Sequence, residues 1–377
     1  MNRNEIAEIR RRLNVDKNAI DCVRGCYVND KREIVATFNR SLMELPREEA
    51  EKYLALFKRA LAGLPGRNLI DVEFRPDQVM EGEAHGLLMS LNNTALKVDS
   101  GVEKLCDRII EGVDLEGNFL ILMLHDAYDV PFHHTDENKS DVISEEVFQY
   151  LLVCVCPVKL TKPALSYFAE DNDFHALEPD WVVAAPEIGF MFPTFDDRAT
   201  NIYSALYFTK DAGNIHSEFI DAVFNADAPM PAEEQKETFR MVLEDALDQD
   251  LSFDVVETLH DTLRERLEEH DKDKTAEPLE ISKREVVSVL QDCGVPDEKL
   301  QAFEQRYEEQ FGQAVSLPAR NVVEPKRFEV KTPDVTVQVN PQRSDLIETR
   351  VIDGVKYILI RAEEGVEVNG VNISIGD

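Results

Sequence analysis

The sequence predicts an α+β fold: a mostly antiparallel central sheet covered by helices, then a small helical hairpin and an all-β C-terminal region. Three observations carry this prediction. Apolar, β-branched or aromatic runs bounded by Pro, Asp or Asn crowd into residues 118–124, 150–155, 181–185, 189–192 and 202–208. Helical periodicity brackets that block before and after. The C-terminal stretch carries Asp353-Gly354 and Asn369-Gly370, two-residue hairpin turns between apolar segments.

Taken in order, residues 4–13 form an amphipathic helix with Ile6, Ile9 and Leu13 on one side. Arg10, Arg11 and Arg12 stand beside them and are expected to pair with the acidic body of the chain. Residues 22–27 and 33–38 read as a hairpin across the turn at 29–32. Cys22 and Cys26 could supply half a metal site, but no second ligand pair of matching spacing follows, so buried thiols are expected. Residues 46–62 are a helix: Pro46 loses no hydrogen bond at the first turn, Glu48 and Glu49 suit the N-terminal dipole, and Gly63 stops it. A strand over 68–74 and helices over 78–96 and 102–110 follow, with the helices expected on one face of the sheet.

Within the central block, the run 119–124 breaks into His125-Asp126-Ala127-Tyr128-Asp129, which places polar side chains at a strand end. Residues 135–146 read as a polar surface loop. Cys154 and Cys156 are two apart on a strand and so point the same way. The strand that carries Trp181 is expected in the middle of the sheet. Pro193 should end its strand or demote it to an edge, and residues 189–192 and 202–208 read as a hairpin. Helices over 231–249 and 253–270 should pack antiparallel. The charged run from His270, followed by Pro278, marks a boundary, giving a main domain 1–270, a linker 271–281 and a C-terminal region 282–377. Ser282-Lys283-Arg284-Glu285 has the capping-box form that opens a helix ending at Gly294, and a second helix runs over 296–311. A sheet of about five strands is expected from Phe328 onward.

The 377 residues carry a formal charge of −33. A field of that sign disfavours nucleic acid and anionic lipid, and it suits a cationic protein partner, self-association or a divalent metal. The charge is uneven: residues 134–280 hold 34 acids against 11 bases, whereas residues 1–70 carry a basic excess. Six cysteines in a chain of this length are not a disulfide framework, and no apolar run is long enough to span a membrane. A cytoplasmic protein with reduced thiols is expected.

Three constellations are candidates for chemistry. His125, Asp126 and Asp129, with His133 or His134 nearby, offer imidazole and carboxylate ligands for a divalent transition metal, which would activate a water for hydrolysis. Asp197 could then act as base and Arg198 as anion clamp. The acidic loop that holds Glu170 offers a second base but lacks calcium-loop spacing. The bland reading of each is a structural hydrogen bond or a turn. Common nucleotide-binding, serine-hydrolase and zinc-protease motifs are absent.

Five segments taken together, Glu5-Ile6-Ala7-Glu8-Ile9-Arg10-Arg11-Arg12, Arg24-Gly25-Cys26-Tyr27-Val28, His125 through Pro131, Cys156 through Pro163 and Gly189-Phe190-Met191-Phe192-Pro193, resemble an uncharacterised bacterial family, domain of unknown function 4317. The resemblance runs nearly end to end. It implies a bacterial cytosolic origin and no catalytic residue. The residues themselves favour a non-enzymatic acidic protein-interaction or regulatory protein with no cofactor. The alternative is a metal-dependent hydrolase built on the His/Asp cluster.

Overall fold

Apolar runs without polar alternation need cover on both faces of a sheet, and the computed structural model supplies it. The structure describes residues 1–130, 147–273, 276–362, 365–368 and 370–373, so the expected loop at 135–146 and both His133 and His134 lie outside the described residues. In chain order the first unit contains α1 (Arg3–Arg12), β1 (Cys22–Val28), β2 (Ile34–Ser41), α2 (Arg47–Ala60), β3 (Leu69–Glu73), α3 (Pro76–Glu81), α4 (Glu83–Asn93) and α5 (Asp99–Gly112). It continues with β4 (Asn118–Asp129), β5 (Val147–Leu160), β6 (Ala164–Phe168), β7 (Asp173–Leu177), β8 (Trp181–Val183), β9 (Ile188–Phe192), β10 (Thr194–Asp196), β11 (Ala199–Asn201), β12 (Ser204–Thr209) and α6 (Ser217–Phe224).

The main sheet runs β2-β1-β4-β5-β9-β12-β3, with β8 paired to the far end of β5. Every pairing in it is antiparallel. Along β4 the odd positions Phe119, Ile121 and Met123 join a core layer with α4, α5 and α6. The even positions Leu120, Leu122 and Leu124 join a second layer with α1 and α2. Helices therefore cover both faces of the sheet, not one as expected, because both parities of its central strands are apolar.

Four further expectations change. The helix over 78–96 is two helices, since Gly82 between α3 and α4 takes an extended ψ of 127°. β4 does not stop at Leu124 but runs on through Asp129, paired residue for residue with β5. Trp181 does not sit mid-sheet: β8 is a three-residue strand, and its indole is 54% exposed. β9 and β12 pair as the expected hairpin, β9 ends before Pro193, and β10 and β11 form a smaller hairpin within the connecting segment.

The second unit, residues 235–273 and 279–377, groups the chain differently from the expected division at 271–281. Its elements are α7 (Ala232–Leu247), α8 (Phe253–His270), β13 (Glu280–Ile281), α9 (Lys283–Asp292), α10 (Asp297–Phe311), β14 (Leu317–Pro318) and α11 (Ala319–Val322). Three hairpins follow: β15 (Phe328–Lys331) with β16 (Thr336–Val339), β17 (Ile347–Ile352) with β18 (Val355–Ile360), and β19 (Val366–Val368) with β20 (Val371–Ile373). Leu243 of α7 and Leu263 of α8 share one core with Leu290 of α9 and Phe303 of α10, so these four helices bury each other's apolar stripes. Ser282 and Glu285 close the capping box that opens α9. The expected five-stranded sheet is instead three separate hairpins. Asp353 and Gly354, at φ 50° and 80°, close the β17–β18 hairpin, and among the described residues none of the three pairs with the next.

Helix and sheet approach closely where side chains are smallest. A Cβ at Gly189 would lie 2.8 Å from the Cβ of Ala60 on α2 and 3.0 Å from the Val153 carbonyl oxygen. Gly189→Ala should therefore lower the unfolding free energy by about 1–3 kcal/mol. Gly86→Ala, where a new Cβ meets nothing within 4 Å, should raise it by roughly 0.5–1 kcal/mol through helix propensity. Urea unfolding of both variants checks this packing, and equal effects would refute it.

Candidate functional site

A β-strand alternates its side chains, so neighbours in sequence face opposite sides of the sheet. His125 and Asp126 obey this rule on β4. Asp126 points into the layer under α1 and is fully buried. Its Oδ2 accepts hydrogen bonds from Arg12 Nε at 2.9 Å and Tyr150 Oη at 2.9 Å. Its Oδ1 accepts from Arg12 Nη2 at 3.1 Å and the Ala19 backbone N–H at 2.9 Å. Arg12 also donates to the Ala127 carbonyl at 3.0 Å and lies 4.4 Å above the Tyr128 ring. Burial works against the Arg12 charge, but the Asp126 carboxylate outweighs it and raises the Arg12 pKa. Burial first, and then the charge of Asp126, pushes the Tyr150 phenol well up. An ion at Asp126 would have to displace Arg12 or Tyr150.

His125 faces the opposite layer. Burial pushes its imidazole below the ordinary value, against the opposing pull of Asp126 and Gln149. Its Nε2 is buried with no partner among the described residues. Asp129 sits at the exposed end of β4, opposite Val147. The structure thus separates His125 from Asp126 by the thickness of the sheet. Among the described residues no three His, Cys, Asp or Glu side chains gather to hold a metal ion.

Asp197 and Arg198 form the two-residue turn between β10 and β11, at φ 50° and 66°. That is the positive-φ pair of a hairpin turn, achieved without glycine. Arg198 Nη1 donates to Glu8 Oε2 at 2.6 Å, and the Tyr128 hydroxyl donates to the other Glu8 oxygen. The Arg198 backbone N–H reaches Glu5 at 3.4 Å. Asp196 accepts from Thr194 and from Asn201, each at 2.8 Å, and its other oxygen lies 2.7 Å from the Met1 amino group. Arg198 is therefore committed to α1, while Asp197 is exposed in the turn. Glu170 lies beside Asp171 in the exposed loop between β6 and β7. The candidate ligands lie on β4, Asp197 and Arg198 in the β10–β11 turn, and Glu170 in the loop between β6 and β7.

Sequence reasoning missed Tyr150, Glu8 and the pairing of Arg12 with Asp126. The available signal was parity: an acid at an even position of a strand whose even positions are apolar must be paired when buried.

A different feature stands open to solvent. After β5 the chain forms an arm: the β6–β7 hairpin, which among the described residues pairs only with itself, and then β8. Tyr167 and Phe174 face each other across the hairpin with ring centroids 5.5 Å apart. Exposures are 76% for Leu165, 49% for Tyr167, 64% for Phe174 and 54% for Trp181, and Leu160, Phe168, Val182 and Val183 are exposed beside them. At about 150–250 Å² for a large aromatic side chain, these eight together expose on the order of 800 Å², summed over both faces of the strands that carry them. Glu170, Asp171, Asp173, Glu178 and Asp180 punctuate the arm, against Lys159 and Lys162.

Two outcomes test this layout. Asp126→Ala leaves Arg12 without its partner and should destabilise the fold by about 3–5 kcal/mol in urea unfolding. Because the His125 pKa is depressed on folding, the unfolded state binds the proton more tightly; its contribution is present above the unfolded value of about 6.5 and is lost as pH falls below it. His125→Gln should accordingly flatten the loss of stability between neutral and mildly acidic pH, and an unchanged slope would show that His125 does not titrate as described.

No curated protein matches the chain, and no described helix is long and apolar enough to cross a membrane. A family model described as a domain of unknown function, DUF4317, matches residues 1–371, and the chain belongs to that family.

Proposed function

We propose that the chain is a non-enzymatic protein-interaction protein that docks a cationic partner on the arm formed by β6, β7 and β8. The observation that carries this reading is the exposed apolar area of the arm. It is on the order of what one partner contributes to a standard protein interface, about 800 Å². Aromatic side chains dominate interface energetics, and Tyr167, Phe168, Phe174 and Trp181 give the arm an aromatic centre. Its five acids and the net charge of −33 supply the rim and the long-range attraction for a basic surface. Apolar contact then provides affinity, and charge provides rate and selectivity.

Trp181 is the only tryptophan in the chain, so its fluorescence reports on the arm alone. Titration with poly-L-lysine should shift the emission to the blue, and the shift should shrink as salt is raised. The double variant Leu165→Ser, Phe174→Ser should weaken the association at least tenfold while leaving the circular dichroism spectrum intact. Absence of association at any ionic strength would overturn the proposal. So would stoichiometric transition metal in the purified protein that His125→Ala removes, which would favour the metal-dependent hydrolase instead.

A further inference from the structure

One pair of side chains has no part in the interaction described above. Cys26 on β1 donates through its thiol to the sulfur of Cys106 on α5, with the sulfurs 3.2 Å apart. Both are free thiols, 0% and 3% exposed. They are 80 residues apart in sequence, so the fold alone brings them together. A pocket of about 260 Å³ is lined by both cysteines together with Arg24, Thr37, Asp99 and Glu103. That volume holds several water-sized molecules, at roughly 30 Å³ each. The pair thus lies in the wall of the pocket, with Cys106 the less completely buried of the two.

We propose that Cys26 and Cys106 form a reversible thiol–disulfide site, oxidised by hydrogen peroxide that enters this pocket. Cys106 is the first nucleophile, because it lines the pocket and is the less completely buried of the two. The Cys106 thiolate attacks one peroxide oxygen, the O–O bond breaks, and the departing hydroxide takes a proton and leaves as water. Cys106 then carries a sulfenic acid. The Cys26 sulfur attacks that sulfur, the S–O bond breaks, and the released hydroxide leaves as a second water with the Cys26 proton. Two thiols and one peroxide give one disulfide and two waters, and two electrons pass from the sulfurs to the peroxide. The sulfurs need close by only about 1 Å to reach bonding distance. The hydrogen bond to Cys106, followed by burial, pushes the Cys26 thiol pKa well up, so closure is slow at neutral pH and accelerates as pH rises. The product ties the edge of α5 to β1 and is opened again by a dithiol reductant.

Cys154 and Cys156 provide an internal control. Their sulfurs are 3.9 Å apart on the other face of the sheet. Two residues along one strand, however, separate the Cα atoms by about 6.7 Å, at the upper limit of what a disulfide spans.

The test uses the full-length folded protein. After peroxide treatment, removal of excess and alkylation in denaturant, the count of free thiols should fall from six to four, and a peptide map should join Cys26 to Cys106. The thermal midpoint should rise by several degrees and return with dithiothreitol, and the rate of closure should increase with pH. Cys22→Ser should leave all of this unchanged. Cys26→Ser should abolish it, with circular dichroism confirming the fold. The wild-type peptide map decides the question alone if that variant fails to fold. Six alkylatable thiols after treatment of native protein, a linkage through any other cysteine, or a Cys26–Cys106 bond that forms only in denaturant would each overturn the assignment.

Discussion

A carboxylate sealed from water must have its charge met by the protein, and Asp126 is met on both oxygens by Arg12, Tyr150 and the backbone of Ala19. Those partners come from α1, from the neighbouring strand β5 and from the segment before β1. The orientation of α1 on the sheet is consequently fixed by directional bonds as well as by the burial of Ile6, Ile9 and Leu13. Apolar packing alone tolerates sliding of a helix across a sheet. A bidentate guanidinium does not, because both nitrogens must meet both oxygens in one plane. Glu8, one turn back along the same helix, ties α1 to Arg198 and Tyr128, and Glu5 caps the helix start through Asn2. The acidic and basic residues of this short helix thus act as a set of registered pins.

Much of the fold was legible in the residues. Pro46 with Glu48 and Glu49 opened α2, Ser282 with Glu285 opened α9, and Asp353-Gly354 closed a hairpin, because each signal acts within a few residues. What depends on long-range partners was not legible. That helices cover both faces of the sheet was implicit in the two apolar parities of β4, but only the packed layers around Leu122 and Met123 reveal which helices go where. The grouping of α7 and α8 with α9 and α10 rests on Leu263 meeting Leu290 and Phe303 in one core, which no boundary signal encodes. Trp181 misled for a related reason: a large aromatic in an apolar run is usually buried, and here it is not.

The candidate site shows the same division. The sequence singled out His125, Asp126 and Asp129 by their density in one stretch, and singled out Arg198 by its neighbouring acids. Density in sequence becomes convergence in space only on a loop or along one helical face; on an extended strand it becomes alternation. The pairs that do converge, Arg12 with Asp126, Arg198 with Glu8, and Cys26 with Cys106, are each separated by long stretches of chain. Neither spacing nor composition announces them.

The β10–β11 turn has one further implication. Asp197 and Arg198 both occupy the left-handed region that favours glycine. Backbone discomfort of this kind persists only where the surroundings hold it in place, and here the restraint is the guanidinium of Arg198 clasped by Glu8. Glycine at 198 would ease the chain yet sever that clasp, so local relaxation and global anchoring oppose each other at a single position. The hairpin behaves as a latch held shut from a distance, and loosening α1 would be felt first at this bend.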